Sequence, residues 1–261
     1  MTSPVLGIDL TDGLATLTLR RPDALNALNA ELKDALAEWI RGAWDSDEVR
    51  AVLLVGEGRA FCAGGDLTEM DPQRSPEGAR VRQEKLLRQV FVPLAQFPKP
   101  VVAAVHGHAH GAGLSLALAC DMVVAAEDAP MSVSFTQRGL VPDCGALYFL
   151  PRIVGVARAK ELLLTGRRFT GKDAEAMGLV MEAVPQDQVL TVARDRAKSL
   201  AAGATVALGL TKSLVDRSWN LALEQVADLE AFASAVTRSS SDHHEALASF
   251  REKRPASFTG K

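Results

Sequence analysis

Two glycine-rich stretches are the parts of this 261-residue chain whose residue types and spacing best suit chemistry. The first, Arg59-Ala-Phe-Cys-Ala-Gly-Gly-Asp-Leu67, follows the apolar run Ala51–Val55. The second, His106-Gly-His-Ala-His-Gly-Ala-Gly113, follows Val101–Val105. Each reads as a buried strand that ends in a turn with unpaired backbone N–H groups. Gly65 has no Cβ, so its N–H can approach a ligand closely. Ala112 sits between Gly111 and Gly113 at an expected helix start, where free N–H groups and the helix dipole favour negative charge. Two such turns side by side would aim donors at one oxygen and stabilise an anion forming there. Spacing alone is equally compatible with two ordinary strand-to-helix connections.

Other motifs fail on their own terms. Gly56-Glu-Gly58 opens like a dinucleotide fingerprint, but Phe61 stands at the third glycine position. Gly166-Arg-Arg-Phe-Thr-Gly-Lys-Asp173 is close to a phosphate loop, yet Asp173 occupies the place of the Ser or Thr that binds magnesium. A helix start capped by Thr170, with Asp173 closing a capping box, accounts for it better. His106, His108 and His110 alternate, but lie in a glycine turn without a carboxylate or cysteine at ligand spacing, so no metal site is expected. Gly113-Leu-Ser115 approaches a nucleophile elbow, but Ser115 falls inside the expected helix instead of on the turn.

The elements that must hold the two turns read as an α/β pattern. Val5–Leu10 and Leu14–Leu19 flank Thr11-Asp-Gly13 as a hairpin. Asn29 caps a helix carrying Leu32, Leu36, Trp39 and Ile40 on one face. Residues 67–80 are polar, contain Pro72 and Pro76, and read as a mobile loop. A helix then runs to about Phe91 and stops near Pro93. After the second turn come a small-residue helix over 113–120 and a strand over 122–126. Strands and helices alternate to about residue 185. Residues 1–200 are therefore expected to form the core, and 201–261 a helical region. There, Val226, Leu229, Phe232 and Val236 recur at helical spacing, for packing on the chain's own core or on a neighbouring subunit.

Bulk properties narrow the class. Hydrophobic residues make up 48% and charged ones 23%, so the chain is globular. A net charge of −3 gives no reason to expect a nucleic-acid or acidic-membrane partner. Arg251–Arg254 reads as a solvated helix end. No secretory signal or membrane-spanning run is visible. Cys62, Cys120 and Cys144 are too few and scattered for a disulfide framework, which makes the cytoplasm the expected compartment.

The residues themselves carry a resemblance. The stretches Arg21-Pro-Asp-Ala-Leu-Asn-Ala-Leu-Asn29, Gly58–Leu67, Pro98–Gly113, Ala119-Cys-Asp121, Gly139-Leu-Val-Pro142, Leu150–Gly155 and Leu164–Gly171 occur in order across residues 3–260. Together they are similar to the crotonase family, the enoyl-CoA hydratase/isomerase superfamily. That resemblance implies an α/β, crotonase-like spiral of ββα units with a C-terminal helical region that drives trimer formation, often as a dimer of trimers. It implies an acyl-CoA thioester substrate, with coenzyme A arriving as part of that substrate and no tightly bound cofactor. The two oxyanion-hole N–H groups of the family fall on Gly65 and Ala112, the second usually a glycine. Ala24, Leu25, Ala63, Asp66 and Leu67 match positions that line the CoA channel. Phe250 and the Lys253/Phe258 tail resemble the segment that closes over the nucleotide end.

The departures bear on the reaction. Hydratases of the family use two glutamates to activate water, and those positions are Ser115 and Phe135 here. Neither works as an acid or base at neutral pH. Asp143, after Pro142, resembles instead the acid/base of ring-opening epoxyphenylacetyl-CoA isomerases; chlorobenzoyl-CoA dehalogenases carry an aspartate nucleophile there. A plain turn role for Pro-Asp-x-Gly is the competing reading. The sequence thus leads to a CoA-dependent isomerase acting through a thioester enolate. A hydratase with a rearranged water site, a serine hydrolase using Ser115 and a non-catalytic CoA-binding protein are the alternatives. Asp143 would work best with its pKa raised by apolar neighbours such as Phe135, Leu140, Tyr148 and Phe149.

Overall fold

Alternating and continuous apolar runs sort this chain into two sheets. The computed structural model describes residues 3–70, 73 and 75–261. β1 (Leu6–Thr11) and β2 (Leu14–Leu19) pair antiparallel around Asp12 and Gly13, which take φ of 50° and 78°. Two positive φ values in a two-residue turn match the right-handed twist of the flanking strands. Helix α1 (Ala30–Ala43) follows, capped as expected by the Asn29 side chain, which accepts from the Leu32 N–H at 3.0 Å.

Three strand–strand units come next. In the first, β3 (Ala51–Gly56) leads to β4 (Ala60–Cys62), then to helices α2 (Pro76–Leu86) and α3 (Val92–Ala95). In the second, β5 (Val101–Val105) leads to β6 (His108–His110) and α4 (Ala112–Leu118). In the third, β7 (Met122–Ala126) leads to β8 (Met131–Ser132) and α5 (Ala146–Thr165). Helix α6 (Gly171–Ala176), strand β9 (Glu182–Val184) and helix α7 (Val189–Ala201) complete the layers. The large sheet has the order β1-β2-β3-β5-β7-β9, parallel from β2 onward. A smaller parallel sheet, β4-β6-β8, takes one strand from each unit.

β3 and β5 are buried almost throughout, because a parallel sheet covered on both faces needs apolar residues at every position. α7 packs against β3, β5 and β7. The Thr170–Asp173 capping box opens α6, so the phosphate-loop likeness has the structural explanation expected of it.

The structure differs from the sequence reading in three places. Residues 67–80 are not one loop: Leu67–Glu69 form a short 3-10 helix, and α2 begins at Pro76 with Ser75 as its cap. Pro72 lies outside the described residues. The helix also passes through Pro93. A π turn over Leu87–Phe91 precedes α3, and a widened turn accommodates a residue that lacks an N–H. Finally, each glycine turn contains a short strand, so His108 and His110 lie on β6 and not in the turn.

Helices α8 (Thr205–Ser218), α9 (Leu223–Arg238) and α10 (Ser241–Glu252) end the chain. They bury little: Phe232 is 70% and Phe250 84% exposed. The terminal segment is tied back by Asp242, whose carboxylate accepts from the Thr259 and Gly260 N–H groups, and by Arg50, which donates to the Phe258 carbonyl. Among the described residues, no helix is long and apolar enough to cross a membrane.

Candidate active site

Sheet register brings the two glycine turns together. In the parallel pair β4–β6, Cys62 lies opposite Ala109, and each turn then runs three residues further, to Gly65 and to Ala112. The contact is close. A Cβ at Gly113 would fall 2.1 Å from the Cys62 carbonyl oxygen, and one at Gly64 would fall 2.7 Å from the His110 oxygen and 3.6 Å from the Ala112 nitrogen. Glycine at both positions is what lets the two backbones touch. Ala112 opens α4, where the first N–H groups have no partner within the helix. Gly111 makes the sharp entry with φ 51° and ψ −121°, while Ala112 itself keeps a negative φ and carries its Cβ without backbone strain. No hydrogen bond among the described residues takes up the Gly65 N–H.

A second segment braces the first turn. The Leu25 carbonyl accepts from the Ala63 N–H, and the Leu28 N–H donates to the Gly64 carbonyl at 2.8 Å. Leu25, which follows Ala24, is thereby placed beside Ala63. Leu25 and Asn26 take φ of 51° and 55°. Fully buried Asn26 holds that bend: its amide donates to the Glu57 and Ala60 carbonyls and accepts from the Arg21 N–H. Asp66 pairs with Arg21 at 2.9 Å and accepts from the Thr68 hydroxyl and N–H. The Thr68 hydroxyl, with Arg21 assisting, holds its carboxyl below the usual carboxylate value against the opposing effect of burial. Its side chain is therefore committed to bracing the turn. Leu67 is exposed beside it. Arg21 and Asn26 lie in the 21–29 stretch that carries the resemblance, but their framework roles were missed because partners such as Glu57, Ala60 and Asp66 are distant in sequence.

The Asp143 main chain meets α4. Its main-chain oxygen accepts from the Ser115 hydroxyl at 3.5 Å, and Ser115 lies one helical turn beyond Ala112. The Phe135 ring covers Gly111, 3.8 Å from where a Cβ would be. Burial pushes the Asp143 pKa up, opposed by the adjacent Cys144 thiol and by Lys33. Lys33 is itself lowered, by burial and then by Arg82, and sits 3.8 Å from Glu69. Arg82 of α2 binds the same carboxylate at 2.9 Å. Sequence reasoning missed Lys33, Glu69 and Arg82, because three elements distant in sequence supply them.

The histidines form a chain. His108 Nδ1 meets His110 Nε2 at 3.2 Å, and His110 Nδ1 meets the Ser132 hydroxyl at 2.9 Å. Burial first, then His108, lowers the His110 pKa to about 4, so this ring is neutral at pH 7. No group of metal-ligating side chains occurs among the described residues. Lys253 caps α10 in a left-handed conformation with φ 55°. The tail beyond it joins Arg50, at the end of β3 opposite the one that feeds the first turn. Among the described residues, no hydrogen bond or ion pair joins Lys253 to the other five positions.

Paired turns with free N–H groups at the ends of parallel strands, wound as ββα units, define a crotonase-fold enzyme. The profile of the family "Enoyl-CoA hydratase/isomerase" matches residues 9–261, and the chain belongs to that family, which acts on acyl-CoA substrates. It is 38% identical to the 1,2-epoxyphenylacetyl-CoA isomerase of Escherichia coli (strain K12), covering 95% of this chain and 96% of that one. It is 39% identical to the enoyl-CoA hydratase domain-containing protein 2, mitochondrial, of Homo sapiens, covering 95% and 86%. Among solved structures it is similar to an enoyl-CoA hydratase from Bacillus anthracis, with a TM-score of 0.93 at 32% identity over 98% of this chain and 100% of that one. An enoyl-CoA hydratase from Polaromonas sp. JS666 gives a TM-score of 0.91 at 34% identity over 97% and 99%.

Proposed function

We propose that this enzyme is an acyl-CoA isomerase that moves a double bond, or opens a ring, through a thioester enolate. The observation that carries the reading is Asp143: a half-buried residue whose main chain meets α4, at a site where Ser115 and Phe135 stand in place of two water-activating carboxylates. The Gly65 and Ala112 N–H groups would hold the thioester oxygen. Asp143 would take a proton from the α or γ carbon, the electrons moving onto that oxygen, and return it at the other carbon. One base suffices because the same proton leaves and comes back. A raised pKa suits it for both halves of this work. Ala24, Leu25, Ala63 and Leu67 would border the CoA arm, with Asp66 fixing their frame. Lys253 would serve only from a neighbouring subunit, and the uncovered apolar residues of α9 and α10 suit a homotrimer or a dimer of trimers.

The test is incubation with 3-hexenoyl-CoA and with 2-hexenoyl-CoA, following both products. Conversion of the 3-enoyl to the 2-enoyl thioester, lost on Asp143→Asn with binding retained, is the expected result. Accumulation of 3-hydroxyhexanoyl-CoA at an undiminished rate in that variant would replace the isomerase reading with a hydratase one.

A further inference from the structure

The alternating histidines of the second turn have no part in the reaction as derived, yet two of them are firmly held. His110 on β6 lies directly opposite Ser132 on β8. Ser132 is 3% exposed and grips the turn twice. Its main-chain oxygen accepts from the Gly111 N–H at 2.9 Å, and its hydroxyl meets His110 Nδ1 at 2.9 Å. The other ring nitrogen, Nε2, meets His108 Nδ1 at 3.2 Å, so both nitrogens of the His110 ring are engaged. Ser132 is itself fixed in place, because the neighbouring Met131 exchanges two main-chain hydrogen bonds with Phe169, at 2.9 and 3.0 Å.

This grip acts on the peptide that carries one of the two donors. Gly111 takes φ 51° and ψ −121°, a combination that side-chain-bearing residues avoid and that persists only where the surroundings hold it. The peptide joining Gly111 to Ala112 is planar, so the Ala112 N–H points opposite to the Gly111 carbonyl. That carbonyl accepts from the Ser115 N–H at 3.0 Å, while the Gly111 N–H is fixed by Ser132. The His110 carbonyl is also where the second turn presses on the first, against Gly64. We propose, resting on the reading of the two turns as a thioester-oxygen site, that Ser132 and His110 are positioning residues: the bond between their side chains holds the strand end at which the turns touch, and so sets where the Ala112 N–H points. The ring suits this use. Burial first, then the positive field of His108, Arg168 and Arg138, keeps His110 neutral at pH 7. An uncharged ring fixes geometry without adding charge beside the oxygen. Loss of its bond to Ser132 therefore alters the aim of the donor and not the net charge of the site.

The experiment is isotope-edited infrared spectroscopy of hexanoyl-CoA, carbon-13 labelled at the thioester carbonyl and bound to the full-length protein, beside steady-state kinetics on 3-hexenoyl-CoA. Two N–H donors polarise the bound carbonyl, so its stretch in the wild-type enzyme is expected at a lower frequency than in buffer. Ser132→Ala should reverse part of that shift and lower kcat about tenfold with KM nearly unchanged, a smaller loss than the roughly 10²–10³ of a donor removed outright. His110→Gln, whose amide reaches past the Nδ1 position, should do the same, and provides the test should Ser132→Ala fail to fold. His110→Asn places its amide at the Nδ1 position and should restore both values. Rescue by the smaller side chain and not by the larger is a pattern that packing alone would not give. Wild-type carbonyl frequency and kcat in both Ser132→Ala and His110→Gln would overturn the inference. The infrared measurement needs no turnover, so it holds whichever reaction follows. A wild-type carbonyl at its frequency in buffer would overturn the oxygen-site reading, and the inference with it, so the two failures are told apart.

Discussion

The proposed donor side of the site and its proposed acid/base side rest on different supports. Gly65 and Ala112 lie three residues beyond paired strand positions, in turns pressed together by Gly64 and Gly113. The groups that matter there are backbone, and the sheet register alone sets their spacing. Asp143 follows Pro142 in a stretch without strands, and the groups that bear on its carboxyl are the side chains of the adjacent Cys144 and of Lys33 on α1. A backbone device tolerates side-chain change as long as the turns stay in contact. A side-chain device changes with each neighbour. That contrast fits a fold shared with the family and a proposed site whose residues at 115, 135 and 143 differ from the hydratase pattern that the resemblance implies.

Substitutions on the two sides should therefore behave differently. The largest effect falls on the acid/base side: Asp143→Asn should lower kcat for 3-enoyl-CoA isomerisation by about 10²–10⁴ with little change in KM, read by steady-state kinetics. An equal loss through KM alone would assign Asp143 to binding. Next comes Gly113→Ala, whose Cβ would fall 2.1 Å from the Cys62 oxygen. Separating the turns should cost about 1–3 kcal/mol, seen as a lower denaturant midpoint, together with loss of activity. Wild-type stability in that variant would show that the turns are not in contact.

His110 gives a smaller, pH-dependent effect. Its folded pKa is depressed to about 4 from an ordinary 6.5, so the unfolded chain binds more protons between those values. The contribution is complete above about pH 6.5 and is lost as pH falls towards 4. His110→Gln should flatten the decline in melting temperature across that window, and an unchanged slope would show that the ring is not held neutral. The smallest effect is expected of Ala112→Gly. The N–H is retained and the alanine is unstrained, so activity should stay within about threefold, with a stability loss of about 0.5–1 kcal/mol at the helix start.

The same contrast governs what was legible in the sequence. Strands such as Ala51–Val55 and Val101–Val105 announce themselves because buried parallel strands are apolar at every position. Caps at Asn29 and Thr170 were readable because their partners lie three residues away. The three-residue strands β4 and β6 were not, being too short to show a period, and so the second sheet was missed. Pro93 suggested a helix end because a π turn upstream leaves no mark in the residue pattern. At the proposed site, Gly65 and Ala112 were singled out from local sequence. Asn26, Lys33, Glu69 and Arg82 were not, since their roles arise only when separate elements meet. Lys253 was taken from the resemblance alone, because sequence order does not say which surfaces a terminal helix reaches.

The most direct measurement is a crystal structure of the enzyme with a non-reactive acyl-CoA analogue. The account predicts the thioester oxygen at about 3 Å from both the Gly65 and Ala112 nitrogens, with the Asp143 carboxyl over the α and γ carbons. A thioester bound with its oxygen away from either nitrogen, or with Asp143 turned from the acyl chain, would contradict it.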